Sequence, residues 1–195
     1  MPPSAPSTSI QQFEASGVQY RPGDVCLMVP HEAGAQPYVG EIMKIQSDEE
    51  LLVKWYYRPE EAVSGRKPFH GAQELFDSDH TDVCPTASVL TKCAVHSLRA
   101  YEALPHISEH DYFVRFRYHA ASQRFEPSRV PVYCKCEQPY NPDRPMIRCI
   151  ECDSWYHHDC LGMSMSDLAE LLATDFVCTS CDAQAKAQLN GRAQI

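Results

Sequence analysis

The sequence has no apolar run approaching eighteen residues, so it offers no membrane-spanning helix. Its first twenty residues hold no Lys or Arg, which argues against a secretory or mitochondrial leader. There is no Gly-rich phosphate loop, no Ser/His/Asp signature and no internal repeat, so nothing points to a nucleotide hydrolase or a nucleophilic enzyme. Basic residues are scarce, 17 Lys and Arg against 26 Asp and Glu, a net charge of −9. A surface of that sign is repelled by a phosphate backbone, and no direct nucleic-acid binding is expected. No basic cluster serves as a nuclear signal, the pair Arg66-Lys67 being the nearest thing. Helical periodicity is weak before Ser166.

What is present in quantity is cysteine at one end. Between Tyr133 and Cys181 stand eight groups suited to a metal: Cys134, Cys136, Cys149, Cys152, His157, Cys160, Cys178 and Cys181. They fall into close pairs separated by twelve, four and seventeen residues. Each pair can close half of a tetrahedral zinc site, and eight ligands fill two sites with no position left for a catalytic water. Two structural Zn²⁺ ions are therefore expected. Disulfides would need an oxidising compartment. His158 could stand in for His157, but His157-x2-Cys160 repeats the two-residue gap of its neighbours. So short a segment cannot bury an adequate core alone, and metal must supply much of its folding free energy. The other three cysteines, Cys26, Cys84 and Cys93, are scattered and read as idle or buried thiols.

The ligand order of four cysteines, one histidine and three cysteines resembles the plant homeodomain (PHD) finger. That resemblance implies interleaved sites: Cys134, Cys136, His157 and Cys160 on the first zinc, and Cys149, Cys152, Cys178 and Cys181 on the second. It also makes Phe176 a core aromatic, and it places Tyr133, Tyr140, Met146 and Trp155 as walls of a cage for trimethyl-lysine. The chemistry suits those side chains, because a quaternary ammonium has no N–H and is held by ring faces and apolar contact. The peptide amino terminus would meet backbone carbonyls near Gly162 and Asp175. From Tyr133 to Asp182 three basic residues face nine acidic ones, which favours a basic peptide. Many such readers carry an acidic residue directly after the third cysteine to hold an arginine of the tail. Here that place is Ile150, and Glu151 follows as the tail contact. A RING-type finger, as in a ubiquitin ligase module, is the alternative, although its histidine comes earlier in the ligand order.

Upstream, the chain reads as β structure. Residues 1–19 are rich in Pro, Ser, Ala and Gln and are expected to form a disordered head. Strands are expected at Val25–Val29, Tyr38–Ile45, Leu51–Tyr57, Leu75–Phe76, Val89–Val95 and Tyr112–Tyr118, with a hairpin turn at Ser47–Glu50. In the last strand Tyr112, Val114, Phe116 and Tyr118 should share one face, and Phe113, Arg115 and Arg117 the other. Short helices are expected at Asp167–Leu172 and Ala183–Leu189.

The runs Trp55-Tyr56-Tyr57-Arg58-Pro59-Glu60-Glu61, Phe69-His70-Gly71-Ala72 and Glu74-Leu75-Phe76 resemble the bromo-adjacent homology (BAH) domain. With the finger behind it, residues 20–182 resemble the plant BAH–PHD chromatin readers of the Short Life and Early Bolting in Short Days type. The expected fold is mainly β: a head (1–19), a BAH-type β-barrel (20–132) running directly into a two-zinc PHD finger with little helix (133–182), and a short tail (183–195). The junction at Pro131-Val132-Tyr133 leaves little room for a flexible linker.

The resemblance further implies a second trimethyl-lysine cage at Tyr38, Trp55 and Tyr57, with His80 and Asp82 holding the tail beside it. This chain is a few residues shorter than such relatives between Tyr38 and Trp55. A shortening confined to the Ser47–Glu50 turn keeps Tyr38 on the Trp55 face, whereas a one-residue register shift removes it. The resemblance thus implies a non-catalytic nuclear regulator of transcription. It would read histone H3 through lysine-4 trimethylation at the finger and lysine-27 trimethylation at the BAH domain, among chromatin-associated partners.

Overall fold

The computed structural model describes residues 10–171 and 174–183. The chain divides into two compact units, Met1–Arg129 and Val130–Ile195. The sequence-based boundary at 132/133 lies three residues beyond that division.

In the first unit, short apolar runs between Pro, Gly and Asp turns are buried by pairing with one another. Strands β3 (Val25–Met28), β4 (Tyr38–Ile45), β5 (Glu50–Tyr56), β7 (Thr81–Pro85), β8 (Val89–Ser97), β9 (Asp111–His119) and β10 (Arg124–Glu126) follow one path, β10-β9-β8-β3-β4-β5-β7, and β6 (Glu74–Ser78) pairs with β9 off that path. A bridge between Tyr57 and Phe76 then joins the end of β5 to β6, with Tyr57 N donating to Phe76 O at 3.0 Å and Phe76 N to Tyr57 O at 2.7 Å. Through that bridge β9, β8, β3, β4, β5 and β6 form a closed ring, which removes most exposed edges.

The ring's interior draws Leu27, Val39, Leu75 and Tyr112, with Val25, Tyr56, Cys93, Val95 and Val114 packed against them, so each of its six strands contributes. The outer face of the same sheet carries a second cluster, Tyr20, Cys26, Met28, Ile42, Ile45, Leu51, Val53 and Val89. That cluster is covered by a hairpin of β1 (Phe13–Ala15) and β2 (Val18–Tyr20), whose turn at Ser16-Gly17 has positive φ at both residues. Phe13 stacks on Tyr20 at 5.2 Å, and Ile10 bridges to Ile45. The expected disordered head is therefore corrected over residues 10–19, which are ordered. Burying Phe13 and Ile10 on a sheet outweighs the polar composition around them. Residues 1–9 lie outside the described residues.

Phe113, on the face of β9 opposite Tyr112, is fully buried, and Tyr101 of helix α1 (Leu98–Glu102) stands 4.8 Å from its ring.

Between β5 and β6 the chain is held by buried polar groups. His70 is 8% exposed, its Nδ1 accepts from Lys67 N at 3.0 Å, and its ring stands edge-on to Phe69 and Phe76. Burial first, and then the positive charge of Arg115, pushes its imidazole down to about 4. The unfolded chain takes up a proton near the ordinary histidine pKa of about 6.5, and the folded chain does not. Stability from this group is therefore complete above that value and falls as the pH drops toward 4, by about 3 kcal/mol. Melting of the chain against pH should show this slope in the first unit, and His70→Gln should flatten it. An unchanged slope in the variant would assign the acid sensitivity elsewhere.

In the second unit, β11 (Val132–Tyr133) pairs with β12 (Gln138–Pro139), and β13 (Met146–Arg148) with β14 (Trp155–His157). Helix α2 (Met165–Leu171) follows, and residues 179–183 are helical. The buried cluster is Ile147, Cys149, Leu168, Phe176 and Cys178. The expected helix at Ala183–Leu189 lies outside the described residues beyond Ala183.

Candidate functional site

The eight cysteine and histidine ligands gather as two tetrads, Cys134, Cys136, His157 and Cys160, and Cys149, Cys152, Cys178 and Cys181, with the ligand atoms of each within 4.8 Å of one another. This is the interleaved arrangement. The β13–β14 hairpin produces it: Cys149 and Cys152 sit in its loop, tightened by Cys149 N to Ser154 O and Asp153 N to Cys149 O at 3.0 Å each. His157 closes its return strand and faces the other tetrad. At a tetrahedral zinc, two thiolates stand about 3.8 Å apart and a thiolate and an imidazole nitrogen about 3.6 Å. Cys152 Sγ lies 3.9 Å from Cys178 Sγ, and His157 Nδ1 lies 3.4 Å from Cys136 Sγ and 3.9 Å from Cys160 Sγ. The donor sets fit, and the two tetrads can hold two zinc ions.

Groups behind Cys149 and Cys178 favour thiolate. Burial alone would push the Cys149 thiol up. Backbone N–H groups, led by that of Cys178 at 3.3 Å, outweigh it and hold the thiol below its ordinary value. The Tyr156 hydroxyl does the same for Cys178. Tyr156, unremarked in the sequence, is thus a support of the second site, and its ring also packs 6.2 Å from Phe176.

In the first unit, one cleft of about 210 Å³ is lined by His31, Tyr38, Trp55, Tyr56, Tyr57, Glu61, His80 and Asp82. All five residues expected there converge on it, although they come from three separate stretches of chain. Strand register is the reason. Gly40 pairs with Trp55, so Tyr38, two residues before Gly40, lies on the indole's face, and Tyr57 follows two residues after Trp55. The Tyr38 and Trp55 rings meet edge-on at 6.0 Å. Gly40 is required beneath them: a Cβ there would strike Val53 Cγ1 and stand 3.2 Å from the Trp55 ring. The one register shift in this pair falls between Ile42 and Lys44, on the turn side of the cleft, so the shorter hairpin leaves Tyr38 in place.

Polar groups fix the walls. The Tyr57 hydroxyl and His80 Nδ1 are 2.8 Å apart, Trp55 N donates to His80 O at 2.9 Å, and the Ser78 hydroxyl donates to Trp55 O at 2.6 Å. Burial, and then the like-charged neighbour that an ionised Tyr118 would be, raises the Tyr57 pKa and favours the neutral phenol; the two rings meet at 5.3 Å. Glu61 and Asp82 bring two carboxylates to the rim. His31 and Glu61 were not singled out in the sequence, since His31 sits in a loop and Glu61 in an acidic run with nothing to mark either.

The finger brings its expected residues together only in pairs. Met146 and Trp155 are diagonal neighbours on one face of the β13–β14 ribbon, where Met146 pairs with His157 and Arg148 with Trp155. Tyr133 and Trp155 line a cleft of about 450 Å³ together with Asp153 and Thr179, among others. Tyr140 is half-buried just past β12 and lines neither cleft. Trp155 is 43% exposed, more than a core indole would be. Glu151 and Ile150 are both exposed in the loop between Cys149 and Cys152, and the Ile150 backbone donates to Phe176 O at 3.0 Å.

Residues 18–129 match the BAH domain family, and residues 130–189 match the family described as the UBR7-like PHD finger. The finger is thus of PHD type rather than RING type. Chromatin remodeling protein EBS of Arabidopsis thaliana is 47% identical over 177 residues, spanning 88% of this chain and 75% of that one. Chromatin remodeling protein SHL of the same plant is 37% identical over 187 residues, 92% of this chain and 81% of its own. Among solved structures, the yeast Rsc2 BAH domain resembles 60% of this chain and 53% of its own with a TM-score of 0.50 at 23% identity, a likeness of fold.

Proposed function

Because this chain belongs to the family of BAH–PHD chromatin proteins that includes EBS and SHL, we propose that it is a non-catalytic, nuclear reader of methylated histone H3. The BAH cleft takes trimethylated lysine 27, and the finger takes trimethylated lysine 4. The observation that carries this reading is the convergence of Tyr38, Trp55, Tyr57, His80 and Asp82 on one cleft. Ring faces there receive a cation that cannot donate a hydrogen bond, and the carboxylates of Glu61 and Asp82 add charge of the right sign. At the finger, Trp155 is the exposed aromatic beside Met146 and Tyr133, and an acidic surface suits a basic tail. Histone tails and chromatin-associated proteins are the expected partners. No helix among the described residues is long and apolar enough to cross a membrane.

The two sites are built on different scaffolds and should be separable. Trp55→Ala should weaken binding of a lysine-27 trimethyl peptide by about 2 kcal/mol, close to thirtyfold. It should leave a lysine-4 trimethyl peptide within about 0.5 kcal/mol. Trp155→Ala should do the reverse while the chain keeps two zinc ions. Calorimetry of both peptides on both variants checks this, and equal losses in all four titrations would refute a two-site reader.

A further inference from the structure

The cleft in the first unit has one wall that neither the strand pattern nor the family's cage accounts for. His31 lies in the loop between β3 and β4, lines the cleft, and sets its ring 5.6 Å from that of Tyr38 at 57°. The loop that carries it is anchored. The buried Arg58 donates from Nε to Gln36 Oε1 at 2.7 Å and from an Nη to Pro37 O at 3.0 Å, Ala35 N donates to Glu32 O at 3.2 Å, and Val29 N donates to Ser88 O at 2.9 Å. Tyr38, Trp55, Tyr57 and His31 thus line one space together with Tyr56, His80, Glu61 and Asp82.

We propose that His31 is the fourth wall of this cleft, and that its neutral ring supports the bound trimethyl-lysine while its protonated ring expels it. The inference rests on the methyl-lysine reading above. A neutral imidazole offers an aromatic face to a cation. An imidazolium places a like charge beside the quaternary ammonium and competes for the same carboxylates, Glu61 from the segment after β5 and Asp82 from β7. The other charged or titratable groups around it are Glu32 on its own loop, Tyr38 from β4, Tyr56 and Tyr57 at and just past the end of β5, the Arg58 guanidinium that anchors the loop, and His80 between β6 and β7. His80 is the other imidazole among them, and its Nδ1 is already engaged by the Tyr57 hydroxyl.

Calorimetry on the full chain with an H3 peptide that carries trimethylated lysine 27 and lacks lysine 4 tests this at pH 7.5 and 5.5. A site that needs a neutral imidazole loses up to about tenfold in affinity per pH unit once that ring protonates, so a loss of about tenfold between the two values is expected. The wild type should show that loss. His31→Phe keeps a ring but cannot be protonated, and it should bind at pH 7.5 at least as tightly as wild type and lose twofold or less. His31→Ala should bind severalfold more weakly at pH 7.5. Melting curves at both pH values confirm that each variant stays folded, which matters because His70 lowers stability over the same range. If the wild type binds and Trp55→Ala abolishes binding, yet His31→Phe keeps the full tenfold pH loss, His31 is not the wall and His80 carries the effect. If Trp55→Ala binds as well as wild type, the methyl-lysine reading itself fails.

Discussion

Chelation of zinc should collapse the finger and leave the β unit folded. Among the described residues the finger's buried cluster is Ile147, Cys149, Leu168, Phe176 and Cys178, and two of those five are zinc ligands. Without metal, four thiols of one tetrad and three thiols with an imidazole of the other remain side by side with no ion to bridge them. Structural zinc contributes an apparent 10–16 kcal/mol, about the whole stability of a small domain, in finger peptides near neutral pH. The two clusters of the first unit, by contrast, contain no residue beyond Val114, so no part of that core is lost with the metal. Metal analysis should give two zinc ions per chain. After chelation, the fluorescence and lysine-4 peptide binding that depend on Trp155 should be lost, while binding of the lysine-27 peptide persists. One zinc per chain, or a finger that keeps its peptide after both ions are removed, would sink the two-site assignment.

Much of this was legible in the sequence because the signals were local or periodic. The ligand pairs announce themselves by spacing, and the strands from Tyr38 to Tyr57 alternate clearly enough to place Trp55 and Tyr57 on one face. The unread parts depend on distant partners. Strand β7 is a polar edge strand, Thr81–Pro85, with almost no buried side chain and so no alternation to detect. Helix α1 is five residues long, and its signal is one Tyr101 that finds Phe113 only in three dimensions. The hairpin at residues 13–20 reads as disorder by composition, and only the sheet beneath it supplies the apolar surface that orders it. His31 is invisible for the same reason: its neighbour Tyr38 is seven residues away, but the ring contact depends on Arg58, another twenty residues on, holding the loop. In the finger, strand pairing joins Met146 to Trp155, whereas Tyr140 lies in irregular chain that no periodicity places.

Arg115→Met should destabilise the first unit by about 3–5 kcal/mol and take the lysine-27 site with it. Arg115 grips Glu74 with two bonds, Nε to Oε1 at 2.7 Å and an Nη to Oε2 at 2.9 Å, and donates a third to Phe69 O at 2.8 Å. Glu74 is fully buried, and its Oε2 also accepts from Gly71 N at 3.0 Å. Methionine fills the space of the arginine stem but strands a carboxylate away from water, and an unpaired buried charge is what makes such a loss large. The damage should spread along β6, which begins at Glu74: Phe76 is the residue that closes the ring onto Tyr57, and the Ser78 hydroxyl holds Trp55 O. Loosening β6 thus frees two walls of the cleft at once. Urea unfolding of the first unit gives the stability loss, and calorimetry with the two peptides should show weakened lysine-27 binding beside unchanged lysine-4 binding. Replacing both partners, Arg115→Met with Glu74→Leu, removes the stranded charge along with the ion pair and should recover most of the loss. A single variant that costs under about 1 kcal/mol, or a double variant no better than the single, would show that the pair does not brace the ring.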